Sequence, residues 1–177
     1  MKKLLKYILY FVFFTIILAY FIPKSNLYFL IQKEIKQYKI ELVTDKIINK
    51  YFSLLLEDIN LKYKDLDVGT VSNLNFTTYL FKTDVIIKDI QLNTIVSKFV
   101  PAKIDSIKCK YDMLSPDKIY LDSVFKNGSC VGYIDIVQRV VKIKVILSKK
   151  LISKYRLTVM MLEKDKIEGE YTYEYKF

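Results

Sequence analysis

A mainly β chain hung from an N-terminal membrane helix is the fold class this sequence predicts. Three patterns predict it: an uncharged apolar run over residues 7–22, a helical period just after it, and two-residue alternation from about Ile40 onward. The run YILYFVFFTIILAYFI has no polar face to offer water. Extended back to Leu4, it reaches about 28 Å at helical rise, close to the ~30 Å hydrocarbon layer of a bilayer. Its aromatic and β-branched residues would favour a strand in water, but lipid leaves backbone amides no partners except each other, which forces a helix. Pro23 suits the end of the span, since it lacks an amide donor and restricts Ile22 before it.

Lys2, Lys3 and Lys6 precede the run and no acidic residue occurs before Glu34, so the positive-inside rule puts the N-terminus in the cytoplasm. The rest of the chain is then expected to be exported to the far side of the membrane. A cleaved signal would end in a small-residue site. Here the exit reads Leu18-Ala19-Tyr20-Phe21-Ile22, so an uncleaved anchor is expected. The domain reading is a stub and anchor over 1–23, a short amphipathic helix over 24–39, and a periplasmic β-domain over 40–177.

In the second segment, Ser25 or Asn26 can cap a helix in which Leu27, Leu30, Ile31 and Ile35 recur at three- and four-residue spacing, opposite Gln32, Lys33, Lys36 and Gln37. Such a stripe lies on lipid, meets a partner, or seals one end of the following sheet.

Beyond Ile40, the stretch Asp58-Ile59-Asn60-Leu61-Lys62-Tyr63-Lys64 puts Ile59, Leu61 and Tyr63 on one side of a strand and polar groups on the other. The same alternation recurs at Ile107-Cys109-Tyr111, Ile119-Leu121, Val141-Ile143-Val145-Leu147, Tyr155-Leu157-Val159-Met161 and Tyr171-Tyr173-Tyr175-Phe177. Breaks with turn chemistry fall at Asp67-Val68-Gly69, Leu114-Ser115-Pro116-Asp117, Lys126-Asn127-Gly128 and Glu163-Lys164-Asp165-Lys166. Asn127-Gly128 suits a type I′ hairpin. Thr44-Asp45 leaves open a second short helix through Lys50. About eight to ten strands joined by short turns, with no βαβ rhythm, predict a meandering antiparallel sheet, curved into a groove, a jellyroll or a sandwich.

Composition narrows the chemistry. With no histidine, the commonest general base and metal ligand is missing and histidine-based hydrolytic triads are excluded. Four glycines, at 69, 128, 132 and 169, cannot write a phosphate-binding loop or a dinucleotide fingerprint. The carboxylate pairs Glu57-Asp58 and Asp65/Asp67 read as solvated turn charges, and Ser129-Cys130 has no identifiable base. No enzyme, no cofactor and no metal are expected. Nucleic acid is a poor partner for an exported domain.

The chain carries 29 basic against 19 acidic residues, and its lysines alternate with apolar residues as a solvated strand face would. Clustered near a bilayer, they would also be drawn to anionic headgroups. Cys109 and Cys130 bond if their strands are neighbours in register, and are otherwise two small buried residues.

Phe52-Ser53-Leu54-Leu55-Leu56-Glu57-Asp58-Ile59-Asn60-Leu61-Lys62-Tyr63, Phe99-Val100-Pro101-Ala102-Lys103-Ile104 and Gly132-Tyr133-Ile134-Asp135-Ile136 resemble the repeating unit of the AsmA-like group, which includes the type II secretion protein N family. By size and anchor the chain is also similar to lipopolysaccharide-transport components with a periplasmic β-jellyroll. The resemblance covers about residues 40–177. It implies a curved β-groove that shields acyl chains or supports a secretion assembly, and it carries over no catalytic or ligand residue. The expected partners are therefore the inner membrane, lipid and other envelope proteins. The groove would be lined by Ile59, Leu61, Tyr63, Val141, Ile143, Val145, Tyr171 and Tyr173. The alternative expectation is a structural scaffold of a secretion or motility machine, its sheet closed and filled by its own side chains.

Overall fold

The computed structural model describes residues 25–79, 81–165 and 167–177, together with Lys6, Tyr7, Leu9, Tyr10, Phe11, Phe13 and Phe14. The run read as a membrane helix lies mostly outside these. Among the described residues no helix is long and apolar enough to cross a membrane.

Helix α1 (Ser25–Lys36) leads into strands β1 (Ile40–Val43), β2 (Lys46–Asn49), β3 (Ser53–Tyr63), β4 (Leu66–Thr78), β5 (Lys82–Leu92), β6 (Lys103–Asp112), β7 (Ser115–Phe125), β8 (Gly128–Asp135) and β9 (Val140–Leu147). Helices α2 (Lys149–Lys154) and α3 (Arg156–Val159) follow, then strands β10 (Glu163–Lys164) and β11 (Glu170–Lys176). All strands belong to one antiparallel sheet that is not closed on itself. Their order is β1-β3-β4-β5-β6-β7-β8-β9-β11-β10, with β2 sharing the outer edge of β3 with β1. From β3 to β9 each strand pairs with its neighbour in sequence, so the expected meander is what forms.

One irregularity crosses the sheet. Leu54 and Leu56 are even-numbered and Ile59 and Leu61 odd-numbered, so simple alternation would send them to opposite faces, yet all four join the same apolar cluster. Strand pairing skips Asp58 opposite Ser72, then Ser72 opposite Asp89, then Asp89 opposite Asp105. Asp58 and Asp89 have φ of 51° and 52°. This left-handed conformation is one that aspartate tolerates better than most residues. On each of the four strands the inward-facing parity changes at this line, from Leu74 to Val71, from Ile87 to Ile90 and from Ile107 to Ile104. Residues on both sides of it thereby keep their apolar groups on one face.

The turns differ in detail from those expected. Asp67-Val68-Gly69 lies inside β4, and the hairpin is made by Lys64-Asp65, whose φ values of 49° and 65° are those a type I′ turn needs. At the expected Asn127-Gly128 hairpin the loop residues are Lys126 and Asn127, between paired Phe125 and Gly128. Of the two loop residues only Asn127 has positive φ, 69°, so the turn is not type I′. Met113-Leu114 turns one residue earlier than read, held by the Leu114 amide donating to Asp112 Oδ1 at 2.9 Å. Glu163-Lys164 forms β10 rather than a turn.

One open reading resolves and one element assignment changes. Lys46–Asn49 forms β2 where the residue pattern leaves a short helix open, and Thr44 Oγ1 donates to the Glu57 carbonyl at 2.6 Å where the chain folds back so that Ile47 and Ile48 pair with Leu56 and Leu55. The alternating run Tyr155–Met161 is helical, not a strand. Its apolar residues also satisfy a helical period, and the helix wins because it buries Leu151 and Tyr155, four residues apart, against Phe125 at the sheet end.

Burial is concentrated in two places. Tyr28 of α1 covers Leu54, Leu56, Ile59, Val71 and Ile90, and its hydroxyl donates to the Leu42 carbonyl at 2.9 Å. Ile31 and Ile35 are half-buried while Lys33 and Lys36 are exposed, as the amphipathic reading requires. The second cluster joins Phe125, Leu151 and Tyr155.

Replacing Asp89 by glycine relieves a left-handed side chain, whereas valine adds a branched Cβ to it. Asp89→Gly is expected to hold or raise the thermal midpoint, and Asp89→Val to cost about 2 kcal/mol, read by thermal unfolding of the two proteins under one condition.

Candidate lipid-facing surface

Cross-strand partners point to the same face, so the register defines rows running across the sheet. One row passes Leu54, Phe76, Val85, Cys109, Leu121, Gly132, Ile143 and Tyr173, from β3 through β9 to β11. The row beside it passes Leu56, Leu74, Ile87, Ile107, Ser123, Cys130, Val145 and Tyr171. At ~4.8 Å per strand each row runs about 34 Å, more than the ~15 Å depth of one bilayer leaflet's hydrocarbon.

The expected lining residues fall on this face in two groups. Val145 faces Tyr171 and Ile143 faces Tyr173 directly, with Val141 opposite Tyr175. Ile59, Leu61 and Tyr63 stand on β3 near the other edge, so the two groups are joined only through the strands between them. Ile59 is fully buried under α1, while Tyr63 and Tyr173 are exposed. Between the two groups Phe76, Val85, Ile87, Cys109, Ile107 and Leu121 are only half-buried. The sequence reading missed Leu74, Phe76, Val85 and Ile87 as lining residues. Their two-residue spacing within β4 and β5 was the available signal.

Gly132 interrupts the first row. A methyl group there would lie 2.2 Å from the Lys142 carbonyl oxygen, so β8 and β9 approach too closely for any side chain. No side chain therefore stands between Leu121 and Ile143 in this row.

The opposite face is mixed, with Lys108, Asp122 and Lys144 interleaved with Ile86 and Val131 in one row. Lys110, Tyr120, Tyr133, Lys142 and Glu174 form its matching row. Lys142 Nζ lies 3.0 Å from Glu174 and Lys144 Nζ 2.5 Å from Glu170. Hydrogen bonds to these carboxylates hold both ammonium groups above their usual range, so both stay charged at neutral pH. An open depression of about 550 Å³ on this face is lined by Tyr133, Lys142, Lys144, Thr172 and Glu174, among others. Among the described residues no group of three or more His, Cys, Asp or Glu is placed to hold a metal ion.

Cys109 and Cys130 are not bonded to each other. They sit on β6 and β8, with Leu121 and Ser123 of β7 as their respective partners, so a whole strand separates them. Two strand spacings, about 10 Å, exceed the ~7 Å a disulfide can span between Cα atoms. The expected condition for a bridge, neighbouring strands in register, is therefore not met. Burial raises both thiol pKa values, and the Asp122 charge adds to the effect at Cys130.

Comparison with protein-family models, curated proteins and solved structures finds no match.

A raised thiol pKa leaves less thiolate at any given pH. Both cysteines are therefore expected to alkylate more slowly at pH 8 than an exposed peptide cysteine, with rates still climbing above pH 9. Iodoacetamide kinetics followed by mass spectrometry read this directly, and the unreduced protein should show two titratable thiols once denatured.

Proposed function

We propose that this chain is a non-catalytic, single-pass inner-membrane protein, N-terminus in the cytoplasm, whose periplasmic β-domain binds or passes lipid along the apolar face of its sheet, alone or docked in an envelope or secretion assembly. The observation that carries this reading is the half-buried apolar band between the two clusters: the face stays greasy from β3 to β11, but its own helices cover only the ends. Water against so much hydrocarbon is unfavourable, at ~25 cal/mol per Å² left exposed. A ligand or partner that covers the band recovers that energy. An open antiparallel sheet with one face richer in apolar side chains suits a shallow groove, in which an acyl chain could lie across the strands where Gly132 carries no side chain.

The apolar run over residues 7–22 supports the membrane anchor, and the resemblance to the AsmA-like group supports the groove. A self-packed scaffold would instead need a second layer over Val85, Cys109 and Leu121, all of which are half-buried. The absence of histidine removes the commonest general base near neutral pH, which favours binding over catalysis.

Photocrosslinking tests the groove. A phospholipid with a diazirine in its acyl chain, irradiated with the full-length protein in nanodiscs, should label peptides that carry Val85, Leu121 and Ile143. Leu121→Lys should cut that labelling at least fivefold, while Tyr120→Lys, one residue along on the opposite face, should leave it unchanged. Labelling confined to residues 7–22 would leave the scaffold reading standing in place of the groove.

A further inference from the structure

A second apolar surface lies away from the sheet face. The β5–β6 loop and the α2–α3 segment both emerge at the end of the sheet where β9 finishes and β11 begins, and Thr158 Oγ1 donates to the Phe99 carbonyl at 2.6 Å, joining two segments far apart in sequence. Leu157, Met160 and Met161, spaced three and four apart, share one side of α3 and its exit, opposite the side that buries Tyr155. Leu157 is 72% exposed and Met161 77%, and across the Thr158 bond Ile95 and Phe99 are exposed as well. Five large apolar groups on one tip are more than scattered surface residues require.

Most of the charges next to them in sequence are positive, with Glu163 following directly after the segment. Residues 149–162 contain Lys149, Lys150, Lys154 and Arg156 and no acid, and the β5–β6 loop adds Lys98. Lys149 is paired with Glu168 at 3.2 Å, but among the described residues Lys98, Lys150, Lys154 and Arg156 have no acidic partner. Apolar side chains with cations nearby in the chain, one of which, Lys154, lies over the Tyr155 ring at 5.0 Å, are complementary to an anionic bilayer surface, where rings and thioethers enter the acyl boundary and ammonium and guanidinium groups meet phosphates. The chain also enters the sheet at this end: Ile40, the first residue of β1, pairs with Tyr63 beside the β3–β4 turn.

We propose that this tip, formed by Ile95, Phe99, Leu157, Met160 and Met161 with their flanking cations, seats on the anionic phospholipid surface of the membrane in which the chain is anchored. The seat holds the sheet end-on, so that the apolar rows face along the bilayer and not into it. The proposal rests on the anchored reading of residues 7–22, and the test separates the two.

The full-length protein, with Cys109 and Cys130 changed to serine, is spin-labelled at one site at a time and reconstituted in nanodiscs of phosphatidylcholine with or without about one third phosphatidylglycerol. Labels are placed at Phe13→Cys, Met161→Cys and Tyr120→Cys, and immersion is read from collision rates with oxygen against a water-soluble nickel chelate. The label at 161 should be immersed in the anionic bilayer, less so in the neutral one, and water-accessible at 120 in both. Each cation contributes about fivefold to partitioning, so Lys150→Gln with Lys154→Gln and Arg156→Gln should abolish the anionic preference while the far-ultraviolet spectrum stays that of a sheet. A label at 161 that stays in water while 13 is immersed overturns the seat and leaves the anchor standing. Water access at 13 as well overturns the anchored reading itself.

Discussion

A strand that alternates strictly can carry an apolar face only as far as its sequence keeps step, and here four strands lose step at the same height. Asp58, Ser72, Asp89 and Asp105 lie side by side where pairing is skipped, and each absorbs the change of parity on its own strand. Were only one strand to slip, its side chains beyond the slip would point to the wrong face, polar groups inward and leucines outward. Because all four slip together, the sheet keeps one apolar side along its whole height. The cluster under Tyr28 and the apolar rows across the sheet both depend on that coincidence.

Much of this architecture was legible in the residues. Val141, Ile143 and Val145 alternate without interruption and meet tyrosines that alternate equally cleanly, so both strands and their faces could be read directly. The helix before the sheet was legible because a three-to-four residue period is hard to mistake over twelve positions. The parity change was not, since Leu54-Leu55-Leu56 offers apolar groups to either face and nothing local says which Asp will turn left-handed. The α2–α3 segment was misread for a related reason. Tyr155, Leu157, Val159 and Met161 fit both periods, and what decides between them is Phe125, thirty residues earlier in sequence, waiting for Leu151 and Tyr155. The hairpins were misplaced by one to three residues because Lys64-Asp65 adopts a conformation more usual for Asn-Gly.

The surface ion pairs add little to this picture energetically. Lys46–Asp58 and Lys103–Asp89 both involve the left-handed aspartates, but all four side chains are half or more exposed, where water screens such pairs strongly. Their value is geometric: each ties an aspartate on the line to an adjacent strand, across the edge to β2 in one case and to β6 in the other.

A sheet laid down one neighbour after another has no strand that must be threaded between two others. A hairpin could therefore be added in its middle and the flanking strands would still find partners of the right polarity, provided the insertion keeps residues in phase and leaves Phe125 where Leu151 and Tyr155 meet it. The strands that bear the parity change, β3 to β6, lack that freedom. Length variation among chains built this way should accordingly collect in steps of two strands on the far side of β6, leaving the half under Tyr28 constant and the breadth of the apolar face adjustable.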